Sequence, residues 1–179
     1  MSAAPFPELA AILRILRKLE LPHALVGGWA VITWGFLRAS DDLDLMVELP
    51  AARRKELINA LSKDYRAEWR EGGEGDPISG LIRALPKREG GFPVDFLIAR
   101  SLSDRAALAR AREVQVEGEV IPVVGPEDLI AMKLEAGGGQ DFEDARRLLA
   151  VLAGTLDESR LNDSCRERKV LKRLGLLRR

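Results

Sequence analysis

Val26-Gly27-Gly28-Trp29, followed by Arg38-Ala39-Ser40-Asp41-Asp42-Leu43-Asp44-Leu45, is the stretch whose reading decides the fold. The short apolar run His23 to Val26 ends at the Gly27-Gly28 pair, which predicts a strand and a tight turn. Trp29 to Leu37 then reads as a short apolar helix. Asp42 to Glu48 alternates, with Leu43, Leu45 and Val47 on one face and Asp42, Asp44 and Met46 on the other. The two carboxylates therefore share a face, about 7 Å apart along the strand. Like charges held so close repel unless a cation lies between them. Their hard oxygen ligands favour magnesium or manganese over zinc.

A third carboxylate, Asp95, is the odd polar residue in Phe92-Pro93-Val94-Asp95-Phe96-Leu97-Ile98. Val94, Phe96 and Ile98 form the apolar face of that strand, so Asp95 points the other way. If the strand neighbours Asp42 to Glu48, three carboxylates converge on one patch, enough to hold two magnesium ions for phosphoryl-type transfer. The Gly27-Gly28 turn ahead of a helix offers close backbone approach and free N–H groups for phosphates.

The remaining chain supplies a frame. Leu9, Ile12, Leu13, Leu16 and Leu19 recur at helical spacing. Ala51 to Lys63 reads as a helix and Tyr65 to Arg70 as a strand. Gly72 to Gly80 reads as a loop, with no Lys-Ser/Thr after it to make a phosphate loop. Leu81 to Leu85 and Phe92 to Ala99 read as paired strands, and Val114 to Val124 as a hairpin turning at Glu117-Gly118-Glu119. Gly125-Pro126-Glu127-Asp128 is a helix start, with proline at the first position and acids in the first turn. Helices are expected over Pro126 to Ala136, Asp141 to Leu152 and about Asp157 to the C-terminus. The expected class is α/β (α+β): a mixed sheet flanked by helices, then a helical C-terminal part. The boundary falls between a core of residues 1–125 and a helical subdomain of residues 126–179 packed on it.

The chain has 179 residues, with 28 Lys+Arg balancing 28 Asp+Glu, 46% apolar and 31% charged residues. These values suit an ordinary globular protein rather than a disordered one. A single cysteine, Cys165, excludes an intrachain disulfide framework and a multi-cysteine zinc site. A single histidine, His23, argues against zinc catalysis and Ser-His-Asp chemistry. His23 reads as a satisfied edge residue, and Trp29 and Trp34 as packing for the helix after the turn. The longest uncharged stretch, Leu21 to Leu37, is broken by Pro22 and the glycine pair and is no membrane span. With Pro5, Pro7 and Glu8 where a signal peptide needs an apolar run, the expectation is a cytoplasmic protein.

A second element follows: Lys133-Leu134-Glu135-Ala136, then Asp141-Phe142-Glu143-Asp144 leading into Arg146-Arg147-Leu148-Leu149. Leu129, Lys133 and Ala136 share a helix face, which places Lys133 towards the apolar side, where it needs a partner such as a triphosphate or Asp44. Asp141 and Asp144 share a face with Leu148. They cap the helix start or point inward to position Lys133 or a metal.

Gly-Gly, then Arg-x-Ser-x-Asp-x-Asp, then a lone Asp on a later strand, resembles the DNA polymerase beta superfamily of nucleotidyltransferases. With the lysine and Asp-x-x-Asp, the resemblance spans about Val26 to Leu149. It is nearest to the small prokaryotic branch that includes the AbiEii-type toxins and minimal nucleotidyltransferases. Gly137-Gly138-Gly139-Gln140 stands where that branch often has a basic residue, and Asp41 where a neutral or basic one is common. The resemblance implies a Mg2+- or Mn2+-dependent transferase that moves an NMP from an NTP such as ATP to a hydroxyl acceptor. Asp42 and Asp44 would bind both metals, with Asp95 bridging or acting as base. Gly27, Gly28 and Ser40 would contact phosphates, and Lys133 would neutralise charge. The acceptor would be an RNA or tRNA end or a protein, and a toxin role would add an antitoxin partner. The alternatives are an aminoglycoside-type antibiotic nucleotidyltransferase and a catalytically silent nucleotide- or partner-binding module.

The zero net charge conceals an asymmetry. Residues 160–179 hold eight Lys/Arg against two acids. Val170, Leu171, Leu174 and Leu177 fit one helix face, so the tail reads as a docked helix with a basic outer side. Its sharper reading is a surface for RNA or an acidic partner.

Overall fold

A computed structural model describes residues 6–72, 80–116 and 118–178. Within them, seven strands form one mixed sheet: β1 (His23–Val26), β2 (Leu43–Val47), β3 (Tyr65–Glu71), β4 (Gly80–Pro86), β5 (Val94–Ile98), β6 (Arg112–Val116) and β7 (Glu119–Val123). Their spatial order is β3-β4-β5-β2-β1-β7-β6. β2 runs parallel to β5 and β1 parallel to β7, and the other neighbours are antiparallel. The α/β class and the mixed sheet are as expected, and β5 does lie beside β2.

Alternation sorts the two faces of the central strands. Leu43, Leu45 and Val47 of β2, Val94 and Phe96 of β5 and Ile82 of β4 are fully buried on one face. They join one core with Leu9, Ile12, Leu13 and Leu16 of α1 (Phe6–Lys18) and Leu57 and Leu61 of α3 (Arg54–Leu61). Each such side chain contributes about 1.5–3 kcal/mol of transfer free energy. The opposite face carries Asp44, Met46, Asp95, Leu97 and Arg83. It looks towards the helices α5 (Pro126–Ala136) and α6 (Gly139–Val151).

Several element ends depart from the sequence reading. The helix after the glycine pair, α2 (Gly27–Thr33), begins on the glycines themselves and stops short of Leu37. Gly35 at φ +103 ends it, with the Phe36 N–H donating back to the Val31 carbonyl, and Leu37 is left 82% exposed. The unassigned helix α4 (Leu102–Ala109) is nucleated by a reciprocal capping box between Ser101 and Asp104. The single C-terminal helix is two, α7 (Glu158–Glu167) and α8 (Leu171–Leu177). Lys169 at φ +59 separates them, the Val170 N–H donating to the Cys165 carbonyl. The hairpin of β6 and β7 is as expected. The expected loop over residues 73–79, and Glu117 of the hairpin turn, lie outside the described residues.

Ion pairs fasten α5 and α7 to α4 and β6. Glu127 and Asp128, read from sequence as dipole-stabilising acids, are instead buried. Arg112 donates to Glu127 at 2.7 Å, and Arg110 reaches Asp128 through two nitrogens at 2.8 and 3.1 Å. Ser164 of α7 donates to Asp128 at 2.7 Å. Arg168, with only 4% of its side chain exposed, joins Asp104 of α4, at 2.9 Å, to Glu135 of α5. In the tail, Arg166 pairs with Asp163, Arg178 with Glu158, and Arg173 donates to the Leu134 and Glu135 carbonyls. Val170 and Leu174 are buried as the docked-helix reading requires, whereas Leu171 is 39% exposed.

Removing Arg168 strands two carboxylates. Arg168→Met is expected to lower the unfolding free energy by about 2–3 kcal/mol, less than for a fully buried pair because Glu135 is a third exposed. Urea denaturation measures it. A loss below about 0.5 kcal/mol, the usual range for surface substitutions, would show that this fastening is dispensable.

Candidate active site

Strand register builds the site. In the parallel β2–β5 ladder Asp44 lies directly opposite Asp95, and across the β1–β2 ladder Asp44 opposes Val26. Side chains paired this way stand about 5 Å apart on one face. Asp42 sits just before β2. One carboxylate oxygen from each of Asp42, Asp44 and Asp95 falls within 4.8 Å of the others.

This crowding has an electrostatic signature. Burial, followed by the Asp42 and Asp95 charges, pushes the Asp44 carboxyl up to about 7. Lys133 and a hydrogen bond from the Gly28 N–H pull the other way, and are outweighed. Burial also raises Asp95, while the Arg83 guanidinium opposes the rise. Arg83 Nη1 donates to Asp95 Oδ2 at 3.1 Å, and Asp95 Oδ1 is buried without a partner. Three converging carboxylates, one with an orphaned buried oxygen, fit a hard divalent cation such as Mg2+ or Mn2+.

The glycine pair is needed for close approach. Gly27 adopts φ +61, and a Cβ on it would lie 1.9 Å from Asp44 Oδ2. A Cβ on Gly28 would meet Ser40 Oγ at 2.3 Å and Arg38 Nη2 at 2.6 Å. Ser40 Oγ is itself 3.5 Å from the Asp42 carbonyl. The start of α2, Ser40, Arg38 and the carboxylates thus form one packed group.

Lys133 and Asp144 build the facing wall. Lys133 Nζ lies 2.9 Å from both Asp141 and Asp144, with 11% of its side chain exposed. Asp144 is fully buried, and also receives Gln140 at 3.0 Å and Arg38 at 3.2 Å. Asp141 does both things the sequence left open: it accepts from the Gly138 N–H at the start of α6 and holds Lys133. Asp144 points inward and holds two cations. Between this wall and the sheet runs a cleft of about 310 Å3, lined by Gly27, Asp44, Asp95, Lys133 and Asp141. The same cleft is lined by Asp104 and Glu135, both paired with Arg168, and by Leu97, Ile98 and Met132.

No family model and no curated protein sequence matches the chain. Solved structures do. The antibiotic-resistance factor ANT(2'')-Ia superposes with a TM-score of 0.60 at 17% identity, over 98% of this chain and 97% of that one. A putative nucleotidyltransferase from Thermotoga maritima gives 0.59 at 17% identity, over 81% and 92%. The lincosamide antibiotic adenylyltransferase LnuA gives 0.53 at 19% identity, over 81% and 96%. The chain has the nucleotidyltransferase fold.

Within that fold, the positions named from sequence are gathered together: Gly27, Gly28, Ser40, Asp42, Asp44 and Asp95 on the sheet side, Lys133 across the cleft. Three partners escaped sequence reading. Arg83 carries no local signal; only strand register puts it opposite Asp95. The Arg38–Asp144 pair joins residues 106 positions apart. Arg168 lay in a tail read as a docked helix with a basic outer side, and is instead one of its buried residues. The tryptophans pack as expected. Trp29 stacks edge-on against Phe6 and Phe92, and Trp34 donates to the Val124 carbonyl at 2.8 Å. His23 Nδ1 contacts the Leu21 carbonyl at 2.6 Å, while its Nε2 is buried without a partner. Burial pushes the Cys165 thiol up to about 11, which leaves it unreactive.

A carboxyl raised in the folded state binds more protons there than in the unfolded chain. Its contribution to stability is therefore fully present below about pH 4 and is lost as pH rises through about 7. Asp44→Asn should relieve this, raising Tm relative to the parent at pH 8 and much less at pH 5, at about 2–4 °C per kcal/mol relieved. Thermal melts at both pH values check it; a variant less stable at pH 8 would contradict the repulsion. Gly27→Ala should cost at least about 2 kcal/mol, from backbone strain plus displacement of Asp44, read by the same melts.

Proposed function

We propose that this protein is a divalent-metal-dependent nucleotidyltransferase that moves an NMP from an NTP to a hydroxyl group. The observation that carries the reading is the in-register Asp44–Asp95 pair, completed by Asp42 and approached by Gly27, at the foot of a cleft walled by Lys133. In the reaction the acceptor oxygen bonds to the α-phosphorus, the bond to the bridging oxygen breaks, and pyrophosphate leaves. Asp42, Asp44 and Asp95 hold the metal ions. When bound, the metals lower the hydroxyl's pKa and neutralise the triphosphate. Asp95 completes the set and takes the acceptor's proton. Gly27 and Gly28 allow the phosphates close to the backbone, and Ser40 lies beside them. Lys133, held by Asp141 and Asp144, offsets phosphate charge from the opposite wall. Residues 1–125 thus supply the carboxylates and residues 126–179 the facing cation.

The cleft favours a small acceptor carrying positive charge. Asp44, Asp95, Asp104, Glu135 and Asp141 line it against Lys133 and Arg168, and the rest of its lining is apolar. With metals offsetting Asp44 and Asp95 and drawing in the triphosphate, the wall acids Asp104, Glu135 and Asp141 still outnumber Lys133 and Arg168, which suits a cationic acceptor better than a phosphate backbone. ANT(2'')-Ia has been solved with adenylyl-2''-tobramycin and LnuA with lincomycin, which places small antibiotics among the acceptors worth testing. The tail gives RNA less support than its composition suggested, because Arg166, Arg168, Arg173 and Arg178 are engaged within the chain. No described helix is long and apolar enough to cross a membrane.

The test is transfer itself. Purified protein is incubated with Mg2+ and each α-labelled NTP. Separate reactions receive aminated hydroxyl compounds including aminoglycosides and lincosamides, tRNA, or cell protein. Label should move to the small-molecule pool and fall at least about 100-fold in Asp44→Ala. Label on tRNA or protein instead would transfer the assignment to a macromolecular acceptor, the class a toxin would use. If no pool is labelled and no NTP with Mg2+ raises Tm, the enzyme reading is overturned.

A further inference from the structure

Arg83 of β4 is paired directly with Asp95 of β5, which is paired directly with Asp44 of β2. Its other neighbour across the sheet is Glu68 of β3, itself bound to Arg70. A row of alternating charge thus runs from the sheet edge inward, Glu68, Arg83, Asp95, and ends at the carboxylate trio.

The terminal torsion of an aspartate is soft, so rotamer preference alone does not set where its two oxygens point. Something must hold Asp95. Among the described residues the side-chain donor to its carboxylate is Arg83, through Nη1 to Oδ2 at 3.1 Å. That leaves Oδ1, buried and unpartnered, as the oxygen available to the site. The Arg83 side chain is 32% exposed and is not among the residues that line the cleft, so it stands behind Asp95 rather than in that space.

We propose that Arg83 is a positioning residue for the metal site: by holding Asp95 Oδ2 it presents Oδ1 to the cation shared with Asp42 and Asp44. This role rests on the reading of the trio as a cation site. It makes a prediction opposite in sign to simple electrostatics. Deleting a positive charge beside a cation site tightens cation binding on Coulomb grounds alone. Losing the residue that orients a ligand weakens it.

Mn2+ is the probe, its free concentration followed by electron paramagnetic resonance with the whole 179-residue chain. Arg83→Met should weaken binding by about 10-fold, to near the level of Asp95→Asn. It should have no further effect in the Asp95→Asn background, because both substitutions remove the same ligand. Arg83→Lys, which keeps a charged donor, should stay within about threefold of the parent. Unchanged or tighter binding in Arg83→Met, or an equal loss with and without Asp95, overturns the role. If the parent binds Mn2+ and only the Arg83 series departs from expectation, the cation site stands and the positioning role falls. If the parent binds no Mn2+, the cation site falls first and the positioning role with it. Should Arg83→Met fail to fold by circular dichroism, Arg83→Ala, which also lacks a donor, carries the test: weaker binding supports positioning, and equal or tighter binding overturns it.

Discussion

Mutual repulsion among Asp42, Asp44 and Asp95 is the constraint on which the rest of the structure depends. Strand pairing in β2 and β5, with Asp42 just ahead of β2, holds one oxygen of each within 4.8 Å of the others, and burial deprives Asp44 and Asp95 of solvent screening. Nothing local relieves this: Asp42 and Asp44 are alternate residues of one segment, and Asp95 is fixed opposite Asp44 by backbone hydrogen bonds. The surroundings instead supply partial compensation. Arg83 comes from the neighbouring strand, Lys133 from the facing helix and a backbone N–H from Gly28. Asp44 still sits near 7. A site left so short of positive charge has the chemistry to receive a divalent cation.

The same logic explains how the compensating cations are placed. Lys133 is held by Asp141 and Asp144, and Asp144 also receives Arg38. Lys133 therefore stands in the cleft wall with its own counter-charges behind it, near the carboxylates without collapsing onto them. Arg168, which also lines the cleft, joins α4 to α5. Of the basic C-terminal segment, Arg168 and Arg173 fasten the tail to α4 and α5, while Arg166, Lys169 and Lys172 stay exposed.

Sequence alternation was most legible where burial is one-sided. Leu43, Leu45 and Val47 announced both the strand and its buried face, and so the side on which Asp42 and Asp44 emerge. It was least legible at helix ends. Gly35 and Lys169 terminate helices through left-handed backbone conformations inside patterns that read as continuous. α4 was missed although Ser101 and Asp104 form its cap, because its apolar periodicity is weak. Glu127 and Asp128 matched a dipole argument that is sound for exposed helix starts. Their burial depends on Arg110, Arg112 and Ser164, which no local pattern connects to them.

By itself, the sequence determined the parts of the site carried within single segments: the glycine pair, the two alternating aspartates, the lone Asp95 on an apolar strand and the inward Lys133. These follow from chain periodicity, which sends side chains to known faces without reference to the rest of the fold. Only the tertiary structure decided that β5 pairs with β2 in the register that sets Asp95 against Asp44. It alone brought Arg83 to Asp95, Arg38 to Asp144 and Arg168 to Asp104. Those contacts depend on strand order and register, which arise from the packing of the whole core and leave no mark at any one position.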